Sequence, residues 1–127
     1  AKMLGILHCL TRKPKELSGG QQQRVCIGRA IIKNPDTILF DEPLANVDAQ
    51  NRIEILKFIK DLSYIHGTTC IYVTHNISEA FSIGHKIFVI NEGQLVTECL
   101  PNELMDSENE IVKSLLVEQK NNESVSG

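Results

Sequence analysis

Apolar residues recur along this chain with two periods, and the alternation between them predicts its elements. Behind Ser18, a run of helix-forming glutamines leads into Val25, Ile27, Ala30, Ile31 and Ile32. This predicts a helix to about Lys33, closed by the turn signal Asn34-Pro35-Asp36. Thr37-Ile38-Leu39-Phe40 is a short unbroken apolar run bounded by turns, which predicts a buried strand. Asp48 then caps a helix to about Tyr64, with Ile53, Leu56, Ile59 and Leu62 on one face and Glu54, Lys57 and Lys60 towards water. Gly67 follows as a helix stop. The β-branched run Thr68–Thr74 predicts a second buried strand.

The remainder reads as shorter pieces. Asn76-Ile77-Ser78-Glu79 has the spacing of a capping box and opens a helix to about Ile83. Lys86–Ile90 and Gln94–Glu98 form a hairpin around Asn91-Glu92-Gly93. Pro101 starts a short helix through Met105. Ser107 with Glu110 caps a last amphipathic helix bearing Ile111, Leu115 and Leu116. At the front, Met3, Leu4, Ile6, Leu7 and Leu10 have loosely helical spacing and read as the last turns of a helix that begins outside the chain. Thr11–Glu16 is a polar connector in which Pro14 argues against helix. The polar tail 119–127 is expected to be disordered.

Apolar strands alternating with amphipathic helices define an α/β class with a mainly parallel sheet, followed by a C-terminal hairpin and short helices. The strands end in Asp41-Glu42 and in His75. In open parallel sheets ligands bind at that C-terminal edge.

Composition narrows the picture. The 127 residues allow one small core, and 42% hydrophobic with 23% charged residues is ordinary for a soluble globular protein. A net charge of −3 leaves no basic field for nucleic acid. No apolar run reaches the roughly 20 residues that span a bilayer, and no secretory signal pattern stands at the start. Cys9, Cys26, Cys70 and Cys99 are widely spaced without a CxxC pair, which favours reduced thiols in a cytosolic setting.

The chemistry starts at Leu17-Ser18-Gly19-Gly20-Gln21. Ser18 and Gln21 fit a capping box. The two glycines let a ligand approach the backbone, and an exposed helix start offers N–H donors and partial positive charge to an anion. A capped helix after a loop is the plain alternative. Asp41-Glu42 alone is more often a solvated strand end, and His75 alone an ordinary turn residue. His8, His66 and His85 read as surface or capping residues. Arg24 and Arg29 read as solvated helix positions.

Together, in this order, the motifs resemble the ATP-binding-cassette (ABC) ATPase family over residues 1 to about 118. The resemblance implies a partial P-loop NTPase fold, with 1–33 in the signature subdomain and 34–118 in the core. It makes Ser18, Gly19, Gly20 and Gln21 the signature motif, which in the family contacts the γ-phosphate of ATP on the opposite subunit of a head-to-tail dimer. It makes Ile38–Glu42 the Walker B element, with Asp41 at the Mg²⁺ site and Glu42 as catalytic base. Asn46-Val47-Asp48 becomes the D-loop, and His75 the switch histidine. Val47, Cys26 and Gly28 depart mildly from the family pattern. The run Asp41–Ala49 is close to the form in importer subunits for sugars, polyamines and osmoprotectants.

One departure is large. No Gly-x-x-x-x-Gly-Lys-Ser/Thr phosphate loop occurs in the chain. The chain thus looks like the C-terminal half of an importer's ATP-binding subunit, inactive by itself and prone to self-association through an exposed sheet edge. The implied cofactors are ATP and Mg²⁺, and the implied partners are transmembrane permease subunits and a second ATP-binding subunit. The implied location is the inner face of the cell membrane. With no room for an added regulatory domain, the expected cargo is an osmoprotectant, polyamine or amino acid. The alternatives are a DNA-repair type ABC ATPase, disfavoured by the glutamine run and the lack of a basic stripe, and a non-catalytic interaction protein.

Overall fold

The computed structural model describes residues 4–125. Two compact units meet in the chain between Val73 and Thr74.

In the first unit the front segment is not the end of a helix. Gly5 has φ +64°, and only a single 3₁₀ turn, Leu7–Cys9, follows. The left-handed glycine breaks the helical path, so Leu4, Ile6 and Cys9 are buried from an irregular backbone. The connector also carries a 3₁₀ turn, Pro14–Glu16. Pro14 is compatible with it because the first helical position needs no N–H, and the Lys13 N–H donates to Glu16 Oε2 at 2.8 Å.

Helix α1 spans Gly19–Ile31, β1 Thr37–Asp41, α2 Ala49–His66 and β2 Thr69–Val73. Helix α2 ends on Gly67 at φ +67°, the left-handed stop expected there. Its buried residues are Ile55, Ile59 and Leu62, whereas Ile53 is 69% exposed. The inward face is thus set by the i, i+4, i+7 series from Ile55. Ile55 and Ile59 are each 1% exposed, and burying such a side chain contributes about 1.5–3 kcal/mol.

Strands β1 and β2 pair in parallel, Ile38 opposite Cys70 and Asp41 opposite Val73. Ile38 and Phe40 are buried on one face, while Leu39 (65%), Ile71 (52%) and Val73 (45%) remain exposed. β2 was expected to be buried. Among the described residues it pairs only with β1, and no layer covers its outer face.

In the second unit α3 spans Ile77–Ile83, β3 Ile87–Asn91, β4 Gln94–Cys99, α4 Pro101–Leu104 and α5 Glu110–Val125. The hairpin turns on Glu92 and Gly93, at φ +48° and +74°, and carries an irregularity between Val89 and Ile90. Ile87, Val89, Leu104 and Val112 form the buried cluster, with Phe81 and Leu115 packed on it. Among the described residues the parallel sheet is thus one pair of strands, and the hairpin forms a second sheet.

The start of α5 is capped by Asn109, whose Oδ1 accepts the Ile111 N–H at 2.9 Å. Ser107, the expected cap, accepts the Asn109 N–H instead. The helix continues through 119–125, where the polar composition predicts disorder. Glu118, Gln119 and Lys120 are good helix formers that extend a nucleated helix at little cost. Residues 126–127 lie outside the described residues.

All four cysteines are free, Cys9 buried and Cys26 exposed. Burial pushes the Cys70 thiol pKa up. Burial, and then the charge of Glu103, do the same at Cys99. Among the described residues, no helix is long and apolar enough to cross a membrane.

Candidate functional site

The first unit holds most of the candidate residues. At the head of α1, Ser18 Oγ accepts the Gln21 N–H at 3.2 Å, and Gln21 Oε1 accepts the Ser18 N–H at 3.1 Å. Both halves of the capping box are therefore made. Ser18 and Gly19 are exposed, so the first turn and its partial positive charge face solvent. His8 reaches this turn too, its Nε2 lying 3.2 Å from Gln21 Nε2.

Gly20, by contrast, is buried against α2. A Cβ there would stand 2.8 Å from Asn51 Cγ, closer than side chains tolerate. Asn51 connects onward in two directions. Its Oδ1 accepts from Arg24 Nη2 at 2.6 Å, and its Nδ2 donates to Asp48 Oδ2 at 2.5 Å. Arg24 also pairs with Glu54, and its side chain is only 15% exposed. Arg24 was expected to be solvated. The sequence signal for its partner was the acid at Glu54, which helical periodicity assigned to the water-facing side.

Asp48 caps α2, Oδ1 accepting the Asn51 N–H at 3.1 Å. The hydrogen bond from the Asn51 side chain, followed by that from its backbone, holds the Asp48 carboxyl below the usual aspartate range. Bonds to the ionised form favour it.

Asp41 ends β1 with an exposed side chain, and Glu42 follows, half-buried. The Glu42 N–H donates to Val73 O at 2.9 Å, extending the strand pairing past β1. Glu42 has φ +44°. This left-handed conformation costs a non-glycine residue about 1–3 kcal/mol and tends to persist where function requires it. Leu44, 2% exposed, anchors the loop beyond it.

The second unit carries His75, exposed between Thr74 and Asn76. Asn76 Oδ1 caps α3 by accepting the Glu79 N–H at 3.2 Å. The Glu79 side chain has a role of its own. It is buried at 6% exposure, and its Oε2 accepts from Thr74 Oγ1 at 3.0 Å. The Thr74 hydroxyl in turn accepts the Asn76 N–H at 3.0 Å. The two neighbours of His75 are thereby fixed.

Among the described residues, no group of three His, Cys, Asp or Glu side chains forms a metal cage. Mg²⁺ does not need one. It keeps several waters and takes one or two carboxylates together with substrate phosphates. The exposed Asp41 carboxylate at a strand end fits that donor set. Phosphate oxygens and waters would supply the remaining ligands.

Residues 1–45 match the ABC transporter family. The chain is 49% identical over 107 residues to the sn-glycerol-3-phosphate import ATP-binding protein UgpC of Psychromonas ingrahamii, covering 84% of this chain and 29% of that protein. It is 47% identical over 106 residues to the trehalose/maltose import ATP-binding protein MalK of Thermococcus litoralis, covering 84% and 28%. The chain thus spans less than a third of the length of these curated relatives. In fold it is similar to an ATP-binding cassette of an ABC transporter in its ADP conformation, with TM-score 0.80 and 29% identity over 91% of this chain and 46% of that one. It is similar also to a dimeric bacterial ABC transporter cassette, with TM-score 0.69 and 37% identity over 79% and 43%. In sequence and fold together, the chain is part of an ABC transporter ATPase domain.

Proposed function

We propose that residues 1–118 are the C-terminal portion of the ATP-binding domain of an importer subunit, with 1–33 in its signature region and 34–118 in its core. The observation that carries this reading is the left-handed Glu42 directly after Asp41 at the end of a parallel strand. That conformation is costly and keeps two carboxylates at the ligand edge of the sheet. Asp41 holds Mg²⁺, and Glu42 takes a proton from the attacking water. His75 braces the terminal phosphate. Ser18, Gly19, Gly20 and Gln21 meet ATP bound by a second ATP-binding subunit, and Asp48 lies in the loop that links the paired sites. Bound ATP supplies the phosphoanhydride that is cleaved.

The relatives named above serve import, so permease subunits and a second ATP-binding subunit are the proposed partners, at the inner face of the membrane. Their named cargoes are sn-glycerol 3-phosphate and trehalose/maltose. That favours a sugar or polyol-phosphate cargo over the osmoprotectant, polyamine or amino acid expected from the sequence.

No phosphate loop occurs in the chain, so the β- and γ-phosphates have no cradle. The chain alone is expected to show no Mg²⁺-dependent ATP turnover. Turnover by the purified chain that disappears in Glu42→Gln would overturn its inactivity. Joined to the Walker A-bearing segment of a relative, it should hydrolyse ATP, and Glu42→Gln should lower the rate by roughly 10²–10⁴-fold, as for loss of a general base. Equal rates with and without Glu42 would overturn its catalytic role.

A further inference from the structure

We infer that Asn51, oriented by Arg24, is a positioning residue that ties the backbone at Gly20 to the Asp48 carboxylate. The helix start proposed to meet nucleotide and the loop proposed to link paired sites then move as one piece. The inference deepens the functional reading above and rests on it for its purpose, but its geometry stands independently.

Three observations converge on this one side chain. Its amide is used at both ends: Oδ1 accepts from Arg24 Nη2 at 2.6 Å and Nδ2 donates to Asp48 Oδ2 at 2.5 Å. A guanidinium can only donate and a carboxylate can only accept, so the two neighbours admit one orientation of the amide. Its backbone N–H is committed to Asp48 Oδ1 at 3.1 Å, which fixes the Cα as well. Its Cβ and Cγ lie 3.0 and 2.8 Å from where a Gly20 Cβ would sit. The backbone of α1 therefore rests directly on Asn51.

Arg24 sets the orientation from the other side. It lies on α1 and reaches two residues of α2, Asn51 and Glu54. Two contacts carry a displacement of the α1 start to Asp48 through Asn51, the Gly20 contact and the Arg24 fork. Lysine keeps the charge of Arg24 but not the planar fork, so the two contributions are separable.

The test is the titration of the Asp48 carboxyl by carbon-detected NMR in the 127-residue chain, without nucleotide. In the wild type it lies below the ordinary aspartate range. Asn51→Ala removes the side-chain donor directly and is expected to raise the midpoint. The decisive variants lie on α1. Gly20→Ala pushes Asn51 away, and Arg24→Lys frees its amide to turn, so each is expected to raise the Asp48 midpoint and speed exchange of the Gln21 amide hydrogen. Helix propensity predicts the opposite sign for Gly20→Ala, since alanine favours the helix.

An unmoved Asp48 midpoint in a folded Gly20→Ala or Arg24→Lys chain overturns the inference, as does an unmoved midpoint in Asn51→Ala. Should Gly20→Ala not fold by circular dichroism, Arg24→Lys carries the test alone. No step of it uses ATP. Failure here leaves the nucleotide reading standing, and failure of the ATPase experiments leaves this coupling standing.

Discussion

Thr74 and Glu79 are joined across the start of α3 by a 3.0 Å hydrogen bond from the threonine hydroxyl to the carboxylate of a residue only 6% exposed. The same hydroxyl accepts the Asn76 N–H, so Glu79 holds both residues that flank His75. Glu79→Ala leaves buried polar groups without this partner. It should destabilise the chain by about 1–3 kcal/mol in urea unfolding. Glu79→Gln keeps an acceptor oxygen and should cost less. Equal losses in the two variants would show that the acceptor is not what matters.

At the head of α1, Ser18→Ala removes the acceptor for the Gln21 N–H. A lost N-cap costs about 0.5–2 kcal/mol. Ser18→Asp should recover most of it, since aspartate caps as well as serine. Matching unfolding midpoints for wild type and Ser18→Ala would contradict the capping role.

Much of this was legible in advance because it is local. Ser18 with Gln21, Asp48 before α2, Gly67 after it and Pro101 at the head of α4 are short-range devices with fixed spacing. The structure has each of them in place. What escaped the sequence depends on partners distant in the chain. Arg24 looked solvated because nothing near it in sequence pairs with it, yet Glu54 does so from another helix. Glu79 looked like a capping partner, and only its burial shows that it holds Thr74. On the inward face of α2, Ile59 and Leu62 are buried as the periodicity predicts, but Ile55 takes the place of Ile53. Isoleucines and leucines occur around much of the helix, so periodicity alone does not select between the two. The left-handed Glu42 carries no composition signal at all. Glycine or asparagine would have announced it.

Asp48 should make folding pH-dependent with a definite sign. Its carboxyl is held below the usual range by hydrogen bonds from Asn51. A depressed folded pKa means the unfolded chain binds the proton more readily. Its contribution to stability is therefore complete above the ordinary aspartate range and is lost as pH falls through the lowered folded value. Comparing wild type with Asp48→Asn across pH 6 to about pH 3, the difference in urea midpoint should shrink as the solution becomes more acidic. A difference that grows on acidification would reverse the assignment.

The outer face of the parallel pair should drive association. Leu39 lies opposite Ile71 there, Val73 follows two residues on opposite Asp41, and all three apolar side chains are exposed. Burying what each still exposes contributes a part of the roughly 1.5–3 kcal/mol of a whole side chain, and a strand edge offers unpaired backbone groups. Sedimentation should show mass rising with concentration, and Leu39→Lys should suppress it. A monomer at every concentration would contradict this.

The hairpin turn offers a stabilising change. Glu92 and Gly93 both have positive φ, the pattern of a two-residue type I′ turn, in which asparagine followed by glycine is preferred. Glutamate in the left-handed region has a Cβ that crowds its own backbone, whereas asparagine tolerates that region through local hydrogen bonding. Glu92 lies at the tip with an exposed side chain, so Glu92→Asn removes strain with little change in packing. Gains from such turn corrections run to about 0.5–2 kcal/mol, and a value near the lower end is expected because the turn already contains Gly93. Thermal unfolding reads it directly. Glu92→Val supplies the opposite sign, since a β-branched residue fits poorly at positive φ. If both substitutions left the midpoint unchanged, the left-handed turn would not be what closes this hairpin.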